Sequence, residues 1–287
     1  MSMDYFVELA TNNNPNSVDE FTVHYHLRIA NGQKNDADDL RKQWSENAKR
    51  VSLTEPDSKL WQTIARPSID LTLLPPGSWF LQFIFTLAKP YISKDDNPFY
   101  IIDNPIVRDK VFRLPMIRPT SWKGNLYAAL WQLGHDKQDD EQMQRLFGET
   151  RGEESGQSGR LYFYPTFFTQ TGLEIINPHD RKRRVGKNPI LFECVPAGAQ
   201  GTFSLLYVPF DPIGQPEDEI RRQAIQDLQI AAEGIQAMML TYGFSAKRTS
   251  GYGVAQEVIQ GKVQTRAGEK SLTRLKNLAQ EVKDVAF

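Results

Sequence analysis

The stretch from Glu217 to Leu240 constrains this 287-residue chain more than any other. Ile220, Ala224, Leu228, Ala231, Ile235 and Met238 recur at three- and four-residue spacing, which is one apolar stripe along a helix. Glu217, Asp218 and Glu219 open it, at the end where the helix dipole favours negative charge. The stripe, with its Met and Leu residues, reads as core rather than as a cofactor box.

Other segments supply a surface for that stripe. Trp79 to Ala88 is an apolar strand, Leu161 to Phe168 an aromatic one, and Gly201 to Pro209 a third. Pro119, Thr120 and Ser121 look like a helix start, because Ser and Thr hydroxyls cap orphan N–H groups. That helix runs from Trp122 to Leu133 and stops at Gly134. The order strand, helix, strands, helix, strand predicts an α+β fold, with two helices on one antiparallel sheet. This is the ferredoxin-like arrangement that RNA-recognition domains share.

The N-terminal part reads differently. Phe21, Val23, Tyr25, Leu27 and Ile29 alternate with Thr22, His24, His26 and Arg28, a period of two that predicts a strand over Phe21 to Ala30. On a strand, His24 and His26 share a face. They are a conceivable metal pair, or simply part of a solvated face. A surface helix is expected around Asp36 to Lys49. Pro75, Pro76 and Gly77 mark a break, which divides residues 1–75 from residues 76–270. Ser271 to Val285 reads as a short amphipathic helix within a helical tail, residues 271–287.

Composition narrows the function classes. Hydrophobic residues make up 40% and charged residues 24%, as in a globular protein with a real core. The net charge of −1 does not point to nucleic acid, yet a neutral total can hide local cationic clusters. The single cysteine, Cys194, excludes a disulfide framework and cysteine-rich metal sites, and fits a reducing cytosol. Met1 to Ala10 lacks the basic start of a signal peptide. No apolar run reaches the roughly 20 residues that span a bilayer. The chain is expected to be soluble and cytoplasmic, with no membrane partner.

Three segments carry chemistry. In the first, Asp103 lies in a loop, Ile101 to Asp109, ahead of the basic helix start Arg118-Pro119-Thr120-Ser121-Trp122-Lys123-Gly124. Orphan N–H groups there suit phosphate oxygens, and Arg118 and Lys123 add charge. A plain turn at Asp103-Asn104-Pro105 explains the loop equally well. In the second, Asp180 to Lys187 holds Arg181, Lys182, Arg183, Arg184 and Lys187, either a phosphate-binding patch or a solvated loop. Tyr162, Phe163, Tyr164 and Phe167 lie upstream. They are candidates for stacking on bases, although at least two read better as buried strand residues. In the third, Gly243 to Gly253 combines glycines with Lys247 and Arg248. Glycine lets backbone approach a ligand, and successive N–H groups can cradle phosphate.

Together these segments resemble the repeat-associated mysterious protein (RAMP) superfamily of CRISPR systems, most closely the repeated backbone subunit of type III effector complexes. Residues Ile102 to Asp109 look like its catalytic-loop motif. Pro119 to Gly124 resembles its helix-start motif, with Thr120 in place of a glycine and Tyr127 where a basic residue is usual. Phe147-Gly148-Glu149 and Ser158-Gly159-Arg160-Leu161-Tyr162-Phe163 match its Phe-Gly and Gly-Arg-Leu-x-Phe landmarks. Gly243 to Gly253 resembles its glycine-rich loop. The likeness spans residues 79–255.

The resemblance implies an RNA-recognition fold with a thumb-like insertion over residues 165–197; residues 1–75 lie outside it, as an N-terminal extension of unknown role. It implies a filament on CRISPR RNA, with other effector subunits as partners. It also implies target-RNA cleavage opposite the thumb with a divalent metal, Mg2+, and with Asp103 at the essential aspartate's position. Arg108, Arg118, Ser121, Lys123, Arg181, Arg183, Arg184, Lys187, Lys247, Arg248, Gly251 and Gly253 are the expected RNA-binding residues. Two alternatives stand beside this: a purely structural RNA-binding subunit of the same complex, and an endoribonuclease that processes precursor CRISPR RNA.

Overall fold

The computed structural model describes residues 5–11, 14–95, 99–135, 140–148, 158–177, 189–212 and 214–287. In chain order the first elements are α1 (Tyr5–Thr11), α2 (Val18–Ala30), α3 (Lys34–Asn47), β1 (Arg50–Ser52) and α4 (Lys59–Ala65). Then come β2 (Trp79–Thr86), β3 (Met116–Ile117), α5 (Pro119–Gln132), α6 (Glu141–Phe147), β4 (Leu161–Phe163) and β5 (Thr166–Phe167). The chain continues with β6 (Gln170–Ile176), β7 (Ile190–Cys194), β8 (Gln200–Tyr207), α7 (Glu217–Ala237), β9 (Val258–Thr265), β10 (Gly268–Arg274) and α8 (Leu278–Glu281). No helix among the described residues is long and apolar enough to cross a membrane.

The elements form two units that do not follow sequence order. The first comprises Met1–Thr54, Ile92–Pro115 and Gln170–Pro196. Here α2 corrects the expected strand. Ser17 caps the helix, accepting from the Glu20 N–H at 3.2 Å, while the Glu20 carboxylate accepts from the Ser17 N–H at 3.0 Å. This reciprocal box satisfies two orphan donors. Val18, Phe21 and Tyr25, spaced three and four apart, meet Leu40 and Trp44 of α3 together with Ile101 and Ile102. A helical period was thus present beneath the period-two alternation, and tertiary packing selected it. On this helix His24 and His26 stand about 200° apart, so they do not share a face. Instead the His26 ring stacks on Phe99, with centroids 4.6 Å apart. Strands β1, β6 and β7 make a three-stranded antiparallel sheet in the order β1-β6-β7.

The second unit comprises Glu55–Tyr91, Met116–Thr169 and Ala197–Phe287. Its main sheet is antiparallel, in the order β10-β9-β2-β8-β4. The inner strands β9-β2-β8-β4 carry the expected ferredoxin-like order, with β10 added by a hairpin. Trp122 of α5 is fully buried and lies 5.0 Å from Phe203 of β8 and 4.9 Å from Phe244, centroid to centroid. Its indole N–H donates to Thr166 Oγ1 at 3.1 Å. Helices α5 and α7 touch where Gly234 faces Leu126 and Leu130; a Cβ there would come within 2.7 Å of Leu130. Near the end of the chain, Ser271 to Arg274 belong to β10, and helical turns begin only at Leu275. The expected tail helix is correspondingly shorter.

A buried polar network ties α7 to the sheet. Asp227 is fully buried. It accepts from Arg145 Nη2 at 2.7 Å, Gln142 Nε2 at 2.9 Å and the Tyr207 hydroxyl at 2.7 Å. Arg160 pairs with Asp211 and donates to Tyr207 Oη at 2.9 Å. The preceding Gly159 lies against Phe147 and Gly148, where a Cβ would meet backbone at 2.4 Å. The Phe-Gly and Gly-Arg-Leu landmarks are therefore two halves of one packed junction.

Candidate nucleic-acid site

The Asp103 loop belongs to the first unit. Ile101 and Ile102 are buried in the α2–α3 core, and Pro105, Ile106 and Val107 are buried on the other side of the bend. Asp103 alone between them is exposed. Its carboxylate has no hydrogen bond or ion pair among the described residues. The loop is a bend, held on both sides.

Glu193 of β7 holds it. Its buried carboxylate accepts from the Tyr100 hydroxyl at 2.9 Å, the Ile106 N–H at 3.1 Å, and Arg108 Nη1 and Nη2 at 2.6 and 2.7 Å. Its own N–H donates to the Asn104 carbonyl at 3.0 Å. Burial works against the Arg108 charge, but the hydrogen bonds and charge of Glu193 outweigh it and hold the guanidinium above its ordinary range. Burial, then the Glu193 charge, pushes the Tyr100 phenol well above its usual range, so it stays a neutral donor. Arg108, expected on RNA, thus spends its guanidinium on Glu193. The sequence reading missed Glu193. Its signal was a lone acid inside the apolar run Leu191-Phe192-Glu193-Cys194-Val195, since a charge in a buried strand needs a partner. Cys194 is buried, and burial pushes its thiol up to about 12, which rules it out as a nucleophile near neutral pH.

His26 Nε2 lies 3.2 Å from the Tyr100 carbonyl oxygen, so this imidazole braces the loop. His24 Nε2 is buried without a partner among the described residues. No three His, Cys, Asp or Glu residues are grouped to hold a metal ion among the described residues.

The helix start and the glycine-rich segment belong to the second unit. Pro119 is the first residue of α5, and Arg118 occupies the cap position without a side-chain cap bond. This corrects the expected Ser or Thr cap. Pro119 lacks an N–H, and those of Ser121 and Trp122 close on the Arg118 carbonyl at 2.9 and 3.1 Å. The first turn therefore offers fewer orphan donors than expected. Arg118, Thr120 and Lys123 are exposed, and Ser121 is half-buried. Tyr127 packs edge-on against Phe147 at 5.4 Å, so an aromatic core contact stands where the family pattern has a cation.

Asn125 links this helix start to the glycine-rich segment. Its amide donates to the Ser121 carbonyl at 2.8 Å and the Phe244 carbonyl at 3.2 Å. Helix α7 ends in a π-helical turn, Met238–Tyr242, and Gly243 follows at φ +75°. The Phe244 N–H donates to the Gly253 carbonyl at 2.9 Å, so the segment closes on itself. Gly253 has φ +67°, and a Cβ there would lie 2.3 Å from Ser245 Cβ. Only glycine fits, and the reason is the loop's own packing. Residues 246–251 project, all exposed. They present Lys247, Arg248 and Gly251, and the Arg248 guanidinium has no partner among the described residues.

Arg181, Arg183, Arg184 and Lys187 lie outside the described residues. Among the stacking candidates, Phe167 packs on Trp61 at 4.9 Å and Tyr164 on Phe80 at 6.0 Å. Tyr162 is 41% exposed, which leaves its ring face available.

Residues 20–256 match the model of the RAMP superfamily. Over 180 residues the chain is 33% identical to the CRISPR system Cms endoribonuclease Csm3 of Mycobacterium tuberculosis, covering 53% of this chain and 73% of that protein. It is 26% identical over 171 residues to the Streptococcus thermophilus protein of the same name, with the same coverages of 53% and 73%. Among solved structures, a chain of the Type III-B Cmr-beta complex bound to cognate target RNA superposes with a TM-score of 0.55 at 14% identity, covering 89% of this chain and 87% of that one. At that identity the likeness speaks for the fold.

Proposed function

Since this chain belongs to the RAMP superfamily, we propose that it is a backbone subunit of a type III CRISPR effector complex that binds guide RNA and cuts bound target RNA at Asp103. The observation that carries the cleavage part is the exposed Asp103 carboxylate, without a partner among the described residues and held between two buried flanks. Its relatives bear the name endoribonuclease, which supports the same reading. The partners are CRISPR RNA, target RNA and further effector subunits. The β6–β7 hairpin lies inside residues 165–197 and is our candidate for the thumb. With one buried cysteine and no membrane-spanning helix among the described residues, we place the protein in the cytoplasm.

The chemistry needs little from the protein beyond placement. RNA carries its own nucleophile, the 2′-hydroxyl: a splayed nucleotide aligns that oxygen with the adjacent phosphorus, so that the new O–P bond forms as the bond to the next nucleotide's 5′-oxygen breaks and that oxygen leaves with a proton. Orientation of this kind lowers the barrier substantially. Asp103 either accepts the hydroxyl proton or holds a hydrated cation beside the phosphate. A divalent ion fits the donor set: Mg2+ is commonly held by one or two carboxylates together with substrate phosphates and water, and Asp103 offers one free carboxylate. When bound, the ion would supply charge stabilisation at the phosphate. Lys247, Arg248, Arg118 and Lys123 are our candidates for guide-backbone contacts.

The test is Asp103→Ala in the assembled complex. One cut position should disappear while target affinity stays unchanged, and a chelator should silence the same position in the unaltered complex. Retained cutting at every position would overturn the catalytic assignment and leave a structural RNA-binding subunit. Chelator-resistant cleavage of repeat RNA by the isolated protein would instead indicate precursor processing.

A further inference from the structure

The unit that carries Asp103 also contains a buried carboxylate, Glu193, whose arrangement exceeds what burial of a strand requires. We infer that Glu193 is a positioning residue for the Asp103 loop, an inference that rests on the cleavage reading above. Its carboxylate collects donors from both sides of Asp103: the Tyr100 hydroxyl at 2.9 Å before it, and the Ile106 N–H at 3.1 Å and the Arg108 guanidinium at 2.6 and 2.7 Å after it. Its backbone N–H donates to the Asn104 carbonyl at 3.0 Å, and Asn104 Nδ2 donates to the Leu191 carbonyl at 3.4 Å. None of these bonds uses the Asp103 side chain. The loop is fastened to β7 on either side of the residue it presents, and that residue is left free.

The clamp is also rigid. Glu193 sits in a paired strand, opposite Leu173 of β6. The Glu193 side chain is 5% exposed and that of Arg108 19%. A bidentate guanidinium–carboxylate pair fixes orientation as well as distance, and lysine cannot reproduce that fork. An uncharged strand residue would have filled the space without the desolvation cost of a buried ion pair. What the pair adds is a fixed height and tilt for the loop. Displacement of a reacting group by about 1 Å lowers a rate by about 100-fold. The same pairing assigns Arg108 to the loop and not to RNA phosphate.

The experiment compares assembled complexes carrying Glu193→Gln, Arg108→Lys and Asp103→Ala with the unaltered complex. Single-turnover cleavage is measured at saturating target, and target affinity over a salt series. Glu193→Gln keeps volume and should slow cutting by about 10- to 100-fold, with affinity and its salt slope unchanged. Arg108→Lys keeps the charge but loses the fork; it should slow cutting likewise and carries the test should Glu193→Gln fail to assemble. Hydrogen exchange at the Ile106 amide should accelerate in both. Wild-type cutting rates in both variants, with Asp103→Ala inactive, would overturn this inference and leave the cleavage reading standing. Loss of affinity in step with rate, or a shallower salt slope in Arg108→Lys, would also overturn it, because Arg108 would then be touching RNA. Undiminished cutting by Asp103→Ala would overturn the cleavage reading, and this inference with it.

Discussion

Among the described residues, two buried carboxylates are paired with arginine, and they serve different ends. Glu193 braces an exposed loop, whereas Asp227 joins α7, α6 and β8 through Arg145, Gln142 and Tyr207. Removing the Asp227 carboxylate strands Arg145 and unbalances the Arg160–Tyr207 contact. Because an uncompensated buried charge costs several kcal/mol, Asp227→Ala should destabilise the fold by about 3–5 kcal/mol, read from the denaturation midpoint. An unchanged midpoint would show that the network contributes nothing net. Neither pairing was legible in the sequence: Glu193 shows only as a lone acid in an apolar run, and the arginines that the two carboxylates meet are far away along the chain. Asp103 was legible, because the turn chemistry of Asp-Asn-Pro and the flanking Ile and Val residues are local.

Among the elements, α7 formed where its hydrophobic period placed it, α5 between its Pro-Thr-Ser start and Gly134, and β2 within the apolar run Trp79 to Ala88. Helix α2 did not. Its residues satisfy both periods, and the Ser17–Glu20 box together with packing on Leu40 and Trp44 chose the helix. The segment after α7 was recognised by its glycines, but what those glycines do became visible only in the closed loop. Gly243 and Gly253 allow the two ends of that loop to touch, and Ala246 to Gly251 carry the cations outward. Gly253→Ala combines left-handed backbone strain with a clash against Ser245. It should cost about 2–5 kcal/mol, seen as a lower melting temperature. A stability equal to wild type would mean that the loop is free to open.

Over the whole molecule, the charge of −1 conceals an uneven distribution, with Lys247 and Arg248 exposed on one projecting loop. If that loop meets guide phosphates, a Lys247→Ala/Arg248→Ala double variant should flatten the dependence of log affinity for single-stranded RNA on log salt by about 1.4, at roughly 0.7 per phosphate. An unchanged slope would place the guide elsewhere. The two units assemble from interleaved segments: residues 92–115 and 170–196 join the N-terminal helices, and the remainder builds the ferredoxin-like sheet. By itself the sequence determined α5, α7 and the strands β2, β4 and β8 of that sheet, the exposed loop with Asp103, and the family through its ordered landmarks, because each motif is local in the chain. Only the tertiary structure decided that Phe21 to Ala30 is helical, that Arg108 pairs with Glu193, and that Glu193 bonds to both flanks of the Asp103 loop. Arg108 and Glu193 stand 85 residues apart, and a pairing at that separation leaves no periodicity to read. It exists only once burial brings two charges out of water and makes each the other's solvent.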